Sequence, residues 1–157
     1  MKEIKKLEKA YADCQAQGLI QFRKDVDKYL IESLLTSSIE SLEYLEELEN
    51  IPGQKKPGYF LLFTNQYDIL RKLIQAFLLF DRLKCSNHQC VNAYLCTNHP
   101  KLKFKWETLE EMRMLRNKIC YEGRQISLKT WNLYKLKFEI YIKSLIRIVK
   151  EKLSETK

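Results

Sequence analysis

Residues 127–150 read SLKTWNLYKLKFEIYIKSLIRIVK, and the spacing within them decides the fold. Trp131, Tyr134, Phe138, Ile142, Leu145 and Val149 recur at intervals of three and four. That period gathers side chains onto one stripe of an α-helix, whereas a strand would alternate every second residue. Ser127 is placed to cap the helix, because its hydroxyl can accept from an amide that the first turn leaves unpaired. The pattern predicts a helix over about Leu128–Lys152. A helix of that length is stable in water only when its apolar stripe is buried against other elements.

The preceding segments supply those elements. Gly123 is a stop for a helix over about Thr108–Tyr121. Asn98, His99 and Pro100 end a short helix over about Asn87–Thr97, which Ser86 or Asn87 can cap. Leu70, Leu73, Phe77 and Phe80 keep the helical period across about Tyr59–Leu83, and Leu78 and Leu79 add apolar surface. This helix should be the most buried. Pro52, Gly53, Pro57 and Gly58 break the chain before it, around the polar run Gln54–Lys56. Leu35, Ile39, Leu42 and Leu45 mark a helix over about Asp25–Glu49. Ile4, Leu7 and Tyr11 mark another over Lys2–Gln17, ended by Gly18. The expectation is an all-α fold: an up-and-down helical bundle of four to five main helices with one short extra helix and no sheet. It forms a single domain over 1–157, with an N-terminal helix in 1–18 and the bundle in 25–153. Short loops favour antiparallel neighbours.

Composition agrees. A chain of 157 residues with 45% hydrophobic content can bury its own core. Only 4 Gly and 3 Pro leave too few turn residues for a β-sandwich. No apolar run reaches the ~20 residues needed to span a bilayer, so no membrane role is expected. The charge is uneven. Residues 1–50 carry 7 basic and 11 acidic side chains, a net of −4, and residues 51–157 carry 21 and 9, a net of +12. A basic face attracts phosphate backbones, acidic lipid or an acidic partner, without specifying sequence. The plainer reading is a Lys-rich solvated surface. The 5 Cys (Cys14, Cys85, Cys90, Cys96 and Cys120) are odd in number, irregularly spaced and without a visible signal peptide. Free thiols in a reducing cytoplasm are the simplest expectation.

The segment that carries chemistry is Met114-Leu115-Arg116-Asn117-Lys118-Ile119-Cys120-Tyr121-Glu122-Gly123. Leu115 and Ile119 should face the core. On an ideal helix Tyr121 lies about 140° round from Arg116. A loosened last turn would bring its phenol nearer the guanidinium. A fixed cation, an amide and a hydroxyl beside a helix end suit a phosphate and a ribose. The plainer reading is an inter-helix hydrogen-bond pair, with Tyr121 packing as an aromatic.

This pattern resembles the signature of the HEPN superfamily of small helical bundles, in which Arg, a polar residue, three variable residues and His follow one another. Arg116 and Asn117 match the first two positions, and Tyr121 stands at the His position. Tyr67-Asp68-Ile69-Leu70-Arg71-Lys72, then Lys84 through His88 and the short helix, are similar to the middle of archaeal HEPN-like proteins, which often read Arg-Asn…Tyr-x-Gly at the motif. The similarity covers roughly Asp25 to Leu153. It implies metal-independent ribonuclease chemistry, with Arg116 on phosphate, Asn117 orienting, and Tyr121 or His88 as substitute acid or base, in a cleft shared by a homodimer. Arg71, Lys118 and Arg124 are the further cations expected on phosphate. A phenol near pKa ~10 is a poor base beside an imidazole near ~6.5. The resemblance therefore points first to a module binding RNA or a nucleotide. Such modules often act with a nucleotidyltransferase-type partner in toxin–antitoxin or defence systems. An active endoribonuclease and a pure interaction scaffold are the alternatives. No cofactor is expected. The aromatic surplus of Trp131, Tyr134 and Tyr141 on the last helix favours a homodimer.

Cys85-x-x-His88, Cys90 and Cys96-x-x-His99 carry zinc-type ligands. The helix between them would hold the two pairs about 13 Å apart, so no metal site is expected. Glu46/Glu47 and Glu110/Glu111 read as solvated helix faces.

Overall fold

The computed structural model describes residues 2–53 and 56–156; Met1 and the Gln54–Lys55 part of the polar loop lie outside the described residues. The architecture is all-α. Six helices follow in order: α1 (Leu7–Ala16), α2 (Lys28–Asn50), α3 (Tyr59–Leu78), α4 (His88–Asn98), α5 (Trp106–Glu122) and α6 (Leu128–Glu155). Short 3-10 turns cover Leu79–Asp81 and Pro100–Leu102.

α3 is the centre. Ten of its 20 residues are buried, and it packs against α2, α6, α5 and α4. Its Phe63 meets Tyr134 and Phe138 of α6 edge-on, with ring centroids 5.4 and 5.1 Å apart. Trp131, Phe138, Ile142, Leu145 and Val149 are the buried residues of α6, so the stripe read from the sequence is the stripe the core uses. Its cap is Ser127, whose Oγ accepts from the Thr130 amide at 3.1 Å. Asn87 caps α4 by accepting from the Cys90 amide at 3.0 Å. Gly123 closes α5 at φ 65°, and the amides of Gly123 and Arg124 both donate to the Lys118 carbonyl.

Three expectations are corrected. First, α3 stops five residues short of Leu83. Arg82 turns left-handed at φ 62°, and Leu83–Lys84 leave as a two-residue strand, β2, antiparallel to β1 (Gln21–Phe22). This small ladder adds a sheet element that the sequence reading did not include. Second, α1 begins at Leu7 rather than Lys2. The Trp106 indole donates to the Lys5 carbonyl at 2.8 Å, holding the preceding residues against the start of α5. Third, Cys14 and Cys90 are not free thiols: they form a disulfide joining α1 to α4. Both lie buried where α1 packs on α4, beside Ala10, Ala93 and Trp106. Cys85, Cys96 and Cys120 remain free.

The disulfide spans 76 residues of chain. Cross-linking so long a loop restricts the unfolded chain and stabilises the fold by about 2–4 kcal/mol. Replacing both cysteines (Cys14→Ser with Cys90→Ser) should lower the melting temperature by about 5–10 °C. A reductant should lower that of the native protein similarly and leave the variant unmoved.

Candidate functional site

α3, α4 and α5 converge, and their facing turns carry most of the charged groups singled out by the sequence. From α3 come Tyr67, Asp68 and Arg71, four residues apart at the outer pair and so on one face. His88 opens α4. Arg113 and Arg116, three apart, come from α5.

The inner part of this meeting point is fully paired. Glu110 is 1% exposed. It accepts from Arg113 through both carboxylate oxygens (2.7 to 3.2 Å), from Gln89 at 2.9 Å and from Asn92 at 3.4 Å. The solvated-face reading of Glu110 is thus corrected: it is a buried charge held by a bidentate guanidinium and two amides, which bolt α4 to α5. Glu111 is half-buried and accepts from the Tyr134 hydroxyl of α6 at 3.4 Å, so it too is not a purely solvated residue. Tyr67 is buried beside this network. Burial raises its phenol to about 12, with Arg113 pulling the other way, so it stays protonated.

The outer part is less satisfied. The Arg116 guanidinium, 20% exposed, has one carboxylate partner, Asp68, at 3.5 Å, which is itself half-buried. Its Nε is buried without a hydrogen-bond partner among the described residues, and so is that of Arg71. Burial acts to lower the Arg116 pKa. Asp68, then the Cys120 thiol and the Tyr121 hydroxyl, outweigh it and raise it. α5 stays regular through Glu122, so its last turn does not loosen before Gly123. Tyr121 is 77% exposed, so it stands at the rim.

His88 belongs to the same cluster. Its ring centroid is 6.5 Å from that of Tyr67. Burial, then the charges of Arg71 and Arg116, push its pKa below the usual value, against a smaller opposing pull from Asp68. The shift favours the neutral imidazole. That form can accept a proton, and protonation would add one more cation among guanidiniums.

The remaining predicted residues lie apart. Asn117 follows Arg116 by about 100° of helix rotation. It lines a different groove, of about 530 Å³, between residues 2–5 and α5, together with Lys118 and Arg113. Arg124 is exposed in the turn before α6. Arg71 and Arg116 thus act electrostatically on His88, Tyr121 stands exposed at the end of α5, and Asn117 with Lys118 lines another groove. The aromatic surplus expected on α6 is absorbed by the core: Tyr134 packs on Phe63, and Tyr141 packs on Phe104 at 4.6 Å. The exposed apolar residues of α6 are instead Leu128, Leu133, Leu136 and Ile140.

The cysteines and histidines do not gather. Cys90 is in the disulfide. The Cys85 thiol donates to the Asn87 carbonyl and the Cys96 thiol to the Phe104 carbonyl. His99 pairs with Asp81. Among the described residues no three His, Cys, Asp or Glu side chains converge on a point that could hold an ion. None of the described helices is long and apolar enough to cross a membrane.

In comparisons with family models, with curated proteins and with solved structures nothing matches this chain, so the chemistry of the site rests on its own geometry.

Proposed function

We propose that this protein is an RNA-binding module of HEPN-like type whose phosphate-facing surface is the group Arg71, His88, Arg116 and Tyr121. One observation carries the reading. Two guanidinium groups, those of Arg71 and Arg116, each have an Nε buried without a partner among the described residues, both act on the His88 imidazole, and the half-buried Asp68 is the one carboxylate paired with Arg116. Guanidinium forks match phosphate oxygens, and a buried donor without an acceptor is costly until one arrives. Asp68 is the counter-charge that a phosphate would displace. The net charge of +8 favours the encounter.

The test is retention of single-stranded RNA, read by fluorescence anisotropy at low salt. The native protein is expected to bind and Arg116→Gln to bind at least tenfold more weakly, with the helical circular dichroism unchanged. Equal binding by the variant would refute the assignment of Arg116.

A second reading, metal-independent RNA cleavage, is favoured by His88. In this reading the His88 imidazole, whose neutral form burial and the charges of Arg71 and Arg116 favour, takes the proton of a ribose 2′-hydroxyl whose neighbouring phosphate Arg116 holds. Cleavage that persists in a chelator would support it. A nucleotidyltransferase-type partner rests on the HEPN resemblance. A homodimer accords with the outer face of α6, where Leu133, Leu136 and Ile140 stand exposed at spacings of three and four.

A further inference from the structure

A cleft of about 450 Å³ opens where the β1–β2 ladder, the end of α3 and the first turns of α4 meet. Its lining includes the apolar Ile74, Leu83 and Val91, the basic Arg23, Arg71 and Lys84, and His88; among the described residues no Asp or Glu lines it. The volume is within the range of small-molecule sites, and so is a lining that mixes apolar side chains with a few charged groups.

The Arg23 amide donates to the Arg82 carbonyl at 2.7 Å, fixing the backbone just after β1. Its guanidinium has a loose ion pair with Asp27 at 3.9 Å from Nη1, too long for a direct hydrogen bond. Arg71 makes no ion pair among the described residues. The Nε atoms of both arginines are buried and lack an acceptor. Buried donors are almost always paired in folded proteins, so orphan donors on two guanidiniums lining one cleft call for an anion with several oxygens.

We propose that this cleft binds a phosphomonoester carried on a compact body with an apolar face. Three positive side chains on a lining that carries no Asp or Glu among the described residues suit a group of charge about −1.5 to −2 with three acceptor oxygens better than a carboxylate or a phosphodiester. Arg23, Arg71 and Lys84 take the phosphate, and Ile74, Leu83 and Val91 take the body. Two sources offer this chemistry: a free mononucleotide-like small molecule, or the 5′-phosphorylated end of an RNA strand. Arg71 and His88 border both this cleft and the Arg116 surface, and so a strand end could enter here while its backbone crosses Arg116. The proposal nevertheless goes beyond the RNA reading and stands without it, because Arg23 and Lys84 line the cleft and Arg116 does not.

The test is calorimetric titration of the whole protein with adenosine monophosphate, adenosine and inorganic phosphate. Alongside it, anisotropy compares one oligoribonucleotide bearing a 5′-phosphate or a 5′-hydroxyl. At least one phosphorylated probe should bind tenfold or more tightly than its unphosphorylated counterpart and than inorganic phosphate. Lys84→Gln and Arg23→Gln should each weaken that binding about tenfold, and Arg116→Gln should leave the preference for phosphate intact. Lys84 is exposed, so its variant should fold. A preference shown by the mononucleotide assigns the small-molecule source, and one confined to the oligonucleotide assigns the strand end. Indifference to the phosphate, inorganic phosphate binding as tightly as either probe, or unaltered binding by both cleft variants would overturn the proposal. Loss of RNA binding in Arg116→Gln with the phosphate preference retained would separate the two surfaces.

Discussion

Glu110→Ala is expected to destabilise the fold by about 3–5 kcal/mol, enough to unfold much of a marginally stable domain. The carboxylate is buried and satisfies four nitrogen donors, from Arg113, Gln89 and Asn92. Its removal leaves a guanidinium and two amides without their acceptor in a poorly solvated place. The loss belongs to the broken pair and not to the charge as such. Replacing Glu110 and Arg113 together by Leu and Met should recover the part of the loss that comes from the stranded guanidinium, and only part of the whole, because Gln89 and Asn92 still lose their acceptor. Urea denaturation of the two variants measures this. A single variant as stable as the native protein would show that Glu110 is solvated after all. The double variant also has a functional consequence. Gln89 adjoins His88, so the network also holds the first turn of α4, which carries the imidazole.

Phe63→Ala is the second large effect, at about 3–5 kcal/mol. The side chain is fully buried, and its two edge-to-face contacts with Tyr134 and Phe138 join α3 to α6. Each such contact adds about 0.5–1.5 kcal/mol beyond buried area. Phe63→Leu keeps most of the volume and should cost less than half as much. Denaturation midpoints for the pair check both numbers, and equal stability of Phe63→Ala and the native protein would refute the central place given to α3.

The bundle was legible in the sequence where one physical rule acted alone. The α6 stripe from Trp131 to Val149, the caps at Asn87 and Ser127 and the stops at Gly18 and Gly123 are local signals, and the structure uses each one. The features that escaped depend on distant partners. Two-residue strands have no period to detect, and Arg82 adopts a left-handed turn that glycine would have announced. Cys14 and Cys90 are 76 residues apart, and sequence alone does not set cysteine pairing. Glu110 looks like any helix-surface carboxylate until Gln89 and Asn92 arrive from α4. Its one local sign was Arg113 at a spacing of three.

The site was legible in the same uneven way. Arg116 and Tyr121 are one motif on one helix, five residues apart. Asn117 belongs to that motif by order but faces another groove, because neighbouring residues on a helix diverge by about 100°. Arg71 and His88 reach Arg116 only through the packing of α3 and α4 on α5. The cleft that includes Arg23 and Lys84 had no signature, since it depends on the β1–β2 ladder.

The salt dependence of RNA binding tests the proposed surface most directly. Each phosphate neutralised on a single strand contributes about −0.7 to the slope of log K against log salt concentration. Comparing the native protein with Arg71→Gln/Arg116→Gln should show weaker binding and a slope shallower by about 1.4, for two phosphate contacts removed. An unchanged affinity and slope in the double variant, or no RNA retained by the native protein even at low salt, would contradict the account.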